Sequence, residues 1–290
     1  MDIFRIFVPP LIKDKNMNGW RRWLLGISAC LLSLCAWAAR VDTLQVRSLA
    51  MNKRVEVVVI CPDAAERKAC PVVYLLHGHG GDAHTWLGTT KPELPEIADE
   101  KGLFFVCPDG EASWYWDSPL NADVRYETFV SDELVQYIDS CYPTIADRKG
   151  RAITGFSMGG HGALWNAIRH SDVFSAVGST SGGVDIRPFP KNWNMSDQLG
   201  EKERYPENWE NYTVINLVPQ MLNGQLAIII DCGYGDFFFD VNTRFHEALQ
   251  KQGVDHDFIV RPGEHNHRYW HNSIDYQILF FQKHFREQGL

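Results

Sequence analysis

Ser157 stands inside Gly155-Phe-Ser-Met-Gly159, with Gly160 and Gly162 close behind, between a strand-like run that begins at Arg151 and a helix-like run that follows. The spacing predicts a turn from strand into helix so sharp that the neighbours of the serine must lack bulk, and the glycines supply that lack. A serine exposed at the N-terminus of a helix is placed to attack a carbonyl. The positive end of the helix dipole stabilises its alkoxide or its tetrahedral adduct, and the Met158 backbone N–H is one oxyanion donor. The motif also describes a glycine-rich turn without chemistry, so the surrounding residues decide.

Those residues follow in the order nucleophile, acid, histidine. Leu226-Ala-Ile-Ile-Ile-Asp231 is a continuous apolar run of the kind found in a strand covered on both faces, and Cys232-Gly-Tyr-Gly-Asp236 reads as the loop after it. Val241–Gln252 reads as a helix, His256–Arg261 as a strand, and Pro262-Gly-Glu-His-Asn-His267 as its loop. Asp236 and His265 therefore both fall beyond the carboxyl ends of strands, where parallel strands bring distant residues together. Upstream, the apolar run Val72–Leu76 leads into His77-Gly-His-Gly-Gly81, a glycine-rich loop that offers the His79 backbone amide as a second oxyanion donor.

The elements that must hold these loops are legible as eight strand-like runs, near residues 43–49, 53–60, 71–76, 103–107, 151–156, 174–180, 226–231 and 256–261. Helical patterns alternate with them; in one, from Tyr126 to Cys141, Phe129, Val130, Leu134, Tyr137 and Ile138 share a face. Such alternation marks a mostly parallel sheet, and with the serine elbow and the order nucleophile, acid, histidine it predicts an α/β-hydrolase fold: a mostly parallel central sheet of about eight strands with helices on both faces, forming one domain over 39–290. The net charge of −8, with no block of Lys or Arg in the body of the chain, gives no reason to expect a nucleic acid partner.

Taken together, Leu75-Leu-His-Gly-His-Gly-Gly81, Pro108-Asp-Gly110, Ser113-Trp-Tyr115, Asp117-Ser-Pro119, Gly155-Phe-Ser-Met-Gly-Gly-His161, Asp231-Cys-Gly233, Asp236 and Pro262-Gly-Glu-His265 resemble the esterase D family. That family includes S-formylglutathione hydrolases, carboxylesterases, acetyl-xylan and feruloyl esterases and mycolyltransferases. The resemblance runs in unbroken order from about Val46 to Phe285. It implies Ser157 as nucleophile, His265 as general base and acid, Asp236 as its orienting carboxylate, and the His79 and Met158 amides as the oxyanion hole, with no cofactor and no metal. His267 stands where the family often carries tryptophan, so it is expected to pack or to line the rim. Asp231 is expected to hydrogen-bond loop amides, and His161 to pack beneath the site.

The implied activity is an ester hydrolase working through an acyl-enzyme on short-chain acyl or aryl esters, including acetyl or feruloyl groups on polysaccharide. Acyl transfer to an alcohol and a glutathione-thioester substrate remain alternatives. Trp114, Tyr115, Trp116 and Trp193 are the candidates for reading the substrate, because aromatic side chains on loops stack on sugar or phenolic rings. Two rivals come from other classes: a metal-dependent hydrolase built on His77, His79, His84, His265, His267 and His271, and a glycan-binding module without catalysis.

Residues 1–38 differ in character. Arg21-Arg22 precede an apolar stretch from Trp23 to Ala38, and Ala36-Trp-Ala38 fits a cleavage site, so a secretory signal peptide is expected, with Met17 an alternative start. Export follows, periplasmic or extracellular, with no stable membrane insertion once the segment is removed. An uncleaved anchor and a lipoprotein box around Cys30 are the competing readings. Five cysteines remain beyond residue 38. An oxidising compartment would allow Cys61 and Cys70 to close a hairpin between two strands, a pairing that the sequence leaves open along with the formation of homo-oligomers.

Overall fold

The computed structural model describes residues 39–290, so the expected signal peptide lies outside the described residues. Eight strands form one sheet in the order β1-β2-β4-β3-β5-β6-β7-β8. They span Arg40–Ser48, Lys53–Cys61, Val72–Leu76, Phe104–Pro108, Arg151–Gly155, Ala176–Thr180, Ala227–Gly233 and Asp257–Arg261. β1 runs antiparallel to β2, and β2 antiparallel to β4. From β4 across to β8 every pairing is parallel. The eight expected strands are all present, displaced by at most a few residues.

The central strands form because their apolar runs can be covered on both sides. β3, β4, β5 and β6 are buried at every residue. The alternation of a strand divides those side chains between two cores: Val72, Tyr74 and Leu76 enter one, Val73 and Leu75 the other. Full burial of each such side chain contributes about 1.5–3 kcal/mol relative to exposure. Helices close both faces, chiefly α1 (Leu94–Lys101), α2 (Leu134–Cys141), α3 (Met158–Arg169), α6 (Phe239–Gln252) and α7 (His267–Glu287). Two short helices, α4 (Met195–Leu199) and α5 (Pro206–Asn211), lie in the long connection between β6 and β7.

Two local expectations are corrected. The helix expected from Tyr126 to Cys141 is interrupted by a π turn over Phe129–Glu133, which inserts a residue into the 3.6 repeat. Cys61 and Cys70 do not flank a hairpin, because β4 lies between β2 and β3 in the sheet; both cysteines are free thiols.

Candidate active site

All four site loops leave the carboxyl ends of parallel strands. Ser157 follows β5, and its backbone is forced through φ 57°, ψ −120°, a region that costs a residue with a side chain on the order of 1–3 kcal/mol. The surrounding packing imposes this turn. A Cβ on Gly159 would lie 2.2 Å from the Leu76 carbonyl oxygen, and one on Gly155 would lie 2.5 Å from the Gly159 carbonyl carbon, so β3, β5 and α3 meet at backbone distance. The Ser157 N–H donates to Thr180 O at 2.9 Å, which ties the turn to β6.

Asp236 and His265 are brought together in the same way. Gly233 and Gly263 pack backbone on backbone, since a Cβ on Gly233 would meet Gly263 O at 2.5 Å, and the Gly235 N–H donates to that carbonyl at 2.9 Å. The acid loop is closed by Asp236 itself, whose Oδ1 accepts from the Phe238 N–H at 2.8 Å. The histidine loop ends where the Asn266 side chain accepts from the Tyr269 N–H and caps α7.

The result is a continuous line of three side chains. His265 Nε2 lies 2.8 Å from Ser157 Oγ, and His265 Nδ1 lies 3.0 and 2.9 Å from the two Asp236 carboxylate oxygens. An acceptor-only carboxylate fixes the proton on Nδ1 and leaves the Nε2 lone pair facing the serine. The Asp236 carboxylate has no exposed surface and the imidazole is 14% exposed, so water screens this pair little.

The His77–Gly81 loop lies directly over the serine. A Cβ on Gly78 would fall 3.3 Å from Ser157 Cβ and 2.7 Å from the Phe156 ring. Among the described residues no backbone or side-chain acceptor takes the N–H of His79 or of Met158, and Met158 is the first residue of α3. Gly78–Gly81, Ser157, His265 and His267 line a cavity of about 460 Å³ whose aromatic walls are Phe156, Trp193, Phe237 and Trp270. Trp193 stacks on Phe237 at 5.5 Å, and Phe237 in turn covers the His265 ring at 4.2 Å. Phe237, Phe156 and Trp270 were not anticipated as lining residues. For Phe237 the available signal is an apolar Phe237-Phe-Phe239 run immediately after the acid, in a loop that has to face the site.

Of the four aromatic residues expected to face substrate, only Trp193 reaches the cavity. Trp114, Tyr115 and Trp116 are at most 1% exposed and are corrected to supports beneath it. Trp114 and Trp116 stack at 5.5 Å, and the Trp116 Nε1–H donates to His161 Nε2 at 2.8 Å. Trp114 Nε1–H donates to the Trp193 carbonyl at 3.1 Å, so it holds the wall in place from behind. His161 packs as expected, and complete burial lowers its pKa to about 4.

The remaining histidines and acids have separate work. His267 Nδ1 pairs with Thr90 Oγ1 at 2.9 Å while its ring edge meets Phe156 and Trp270, a packing position on the rim. Asp231 does not serve loop amides through its carboxylate. It is buried against the Arg261 guanidinium and the Tyr269 hydroxyl, and burial raises its pKa from the ordinary carboxylate value. Among the described residues no group of three or more His, Cys, Asp or Glu side chains converges as a metal-holding set. His79 pairs instead with Asn194, His84 with Glu56 and His271 with Glu93.

A serine, a histidine and a buried aspartate in hydrogen-bonded line at the carboxyl edge of this sheet define a molecule of the α/β-hydrolase class. Within that class the chain belongs to the esterase family: the family model described as "Putative esterase" matches residues 48–281. An esterase of Mycobacterium tuberculosis is 31% identical over 286 residues, covering 88% of this chain and 58% of the relative. The chain thus spans little more than half the length of that mycobacterial relative. Mouse S-formylglutathione hydrolase is 28% identical over 251 residues, covering 77% of this chain and 86% of the relative. Among solved structures, a ferulic acid esterase superposes with a TM-score of 0.73 at 30% identity, covering 85% of this chain and 98% of the other.

Proposed function

We propose that the protein is a serine esterase that hydrolyses carboxylic esters through an acyl-enzyme. The observation that carries this reading is the unbroken line Asp236–His265–Ser157, with 2.8 Å between base and nucleophile. Ser157 Oγ attacks the ester carbonyl as its proton passes to His265 Nε2. Asp236 holds the imidazole in the required tautomer and stabilises the imidazolium that forms. The His79 and Met158 amides receive the charge that develops on the carbonyl oxygen. Collapse breaks the ester C–O bond, and the leaving alkoxide takes the proton from His265. Water then repeats the sequence on the acyl-serine and releases the acid.

The cavity supports a substrate whose acyl or alcohol group is small or flat. Four aromatic walls and about 460 Å³ suit a short acyl chain or an aryl group. The relative named as a ferulic acid esterase favours an aryl ester, and polysaccharide-borne esters follow if residues 1–38 direct export. Purified protein assayed on p-nitrophenyl acetate, butyrate and octanoate, methyl ferulate and acetylated xylan tests this reading. Hydrolysis of the short or aryl esters that vanishes in Ser157→Ala and is unaffected by a chelator is expected; chelator-sensitive turnover that survives Ser157→Ala contradicts it.

A further inference from the structure

His77 is wholly buried at the foot of the glycine-rich loop, and the mechanism above gives it no part. Its ring makes two hydrogen bonds of opposite sense. The Gly110 N–H points at Nε2 from 2.7 Å, whereas the Asp109 carboxylate lies 3.5 Å from that atom and accepts instead from the Glu111 N–H at 2.8 Å, so Nε2 presents a lone pair. The proton of the neutral ring is then on Nδ1, which donates to the Gly78 carbonyl at 2.7 Å. The same carbonyl accepts the Gly81 N–H at 3.1 Å. Two donors thus hold one face of the Gly78–His79 peptide.

In a trans peptide the C=O and the following N–H point in opposite directions across one rigid plane. Pinning Gly78 O towards the His77 ring therefore aims the His79 N–H away from that ring, in a loop that borders the cavity at Ser157, where a Cβ on Gly78 would fall 3.3 Å from Ser157 Cβ. The ring has no room to release that peptide. The His77 carbonyl accepts the Tyr115 hydroxyl at 3.1 Å, and the Tyr115 ring is itself wedged against Gly110 and Gly162, where a Cβ would approach it to 2.3 Å. An apolar side chain of equal volume would fill the same space but leave Gly110 N–H unpaired and Gly78 O with one donor fewer.

We propose that His77 is a positioning residue: its Nδ1–H fixes the Gly78–His79 peptide plane and thereby sets the direction in which the His79 N–H donates to the oxyanion. This rests on the serine-esterase reading and adds to it the side chain that presets one donor of the oxyanion hole.

Two substitutions separate the two ends of the ring. His77→Asn keeps a donor where Nδ1 stands and gives up the partner of Gly110, whereas His77→Gln keeps an acceptor where Nε2 stands and gives up the donor to Gly78. The expected result is that His77→Gln lowers kcat roughly 10- to 100-fold at nearly unchanged KM, below the loss from deleting an oxyanion donor outright. The same variant should weaken inhibition by a trifluoromethyl ketone by a similar factor, because that adduct places an oxyanion in the hole. His77→Asn should stay within a few fold of the parent in both measures. Equal kcat losses in the two variants, or a kcat loss in His77→Gln without weaker ketone inhibition, would overturn the proposal and leave His77 as packing. If either variant fails to fold, the ¹⁵N spectrum of the wild-type His77 ring decides: a proton on Nδ1 supports the assignment and a proton on Nε2 overturns it. Ester hydrolysis that survives Ser157→Ala would instead overturn the parent reading, so the two failures are distinguishable.

Discussion

Trp193 lies against Phe237 with ring centroids 5.5 Å apart and planes 18° from parallel. The two rings come from different connections, one between β6 and β7 and the other after β7, and together they wall the cavity beside His265. The pair presents a flat aromatic surface on one side of the cavity. Trp193→Ala and Phe237→Ala should each lower kcat/KM for methyl ferulate by about 1–3 kcal/mol, the scale of a lost aromatic stack, while p-nitrophenyl acetate changes far less. Parallel kinetics on the two esters check this. Equal losses on both would show that the pair supports the site and does not read substrate.

Trp114 should behave in the opposite way. Because its ring is buried and its Nε1–H holds the Trp193 carbonyl, Trp114→Ala should cost about 3–5 kcal/mol of stability and lower activity on all esters alike. Thermal or urea unfolding beside the same two assays is the check. A stable variant with a loss confined to the aryl ester would restore Trp114 to the substrate surface.

The two buried aspartates should separate by what they damage. Asp236→Asn replaces one carboxylate oxygen with an NH2 donor and removes the charge, which favours the wrong His265 tautomer, and should lower kcat by roughly 10⁴-fold with little change in unfolding. Asp231→Asn leaves the Arg261 guanidinium without its buried partner, so it should cost about 3–5 kcal/mol of stability and spare most of kcat. Urea unfolding and steady-state kinetics on both variants would expose a reversed assignment.

His161 gives the fold a pH dependence of definite sign. Its folded-state pKa of about 4 lies below the unfolded value near 6.5, so the unfolded chain binds the proton more readily. Its contribution is complete above about pH 6.5 and is lost as pH falls through about 4. It amounts to on the order of 3 kcal/mol. Melting temperature measured from pH 7 to pH 4 should fall, and His161→Gln should flatten that part of the curve. An unchanged slope in the variant would assign the loss to other groups.

The fold and the three-residue line were legible for physical reasons that differ. Strands such as Val72–Leu76 and Leu226–Asp231 announce themselves because burial on both faces demands continuous apolar residues, and Gly155, Gly159 and Gly78 mark the close backbone approaches that bring the loops together. Apart from Trp193, the aromatic wall of the cavity was not legible in the same way. An aromatic triplet such as Trp114-Tyr-Trp116 records only that large apolar surface is present, and the side to which it turns depends on backbone with positive φ at Trp114 and Tyr115. Nor does adjacency in sequence predict adjacency in a sheet: β2 and β3 bracket Cys61 and Cys70, yet β4 returns to lie between them.

The central claim is that Ser157 carries the acyl group, and trapping that group tests it most directly. Wild-type protein mixed with p-nitrophenyl butyrate, quenched in acid within the first turnovers and digested for mass spectrometry, should show the butyryl mass on the peptide containing Ser157. The adduct should disappear in Ser157→Ala and build up in His265→Ala only far more slowly. A butyryl group on another residue during normal turnover, or turnover that persists in Ser157→Ala, would contradict the account.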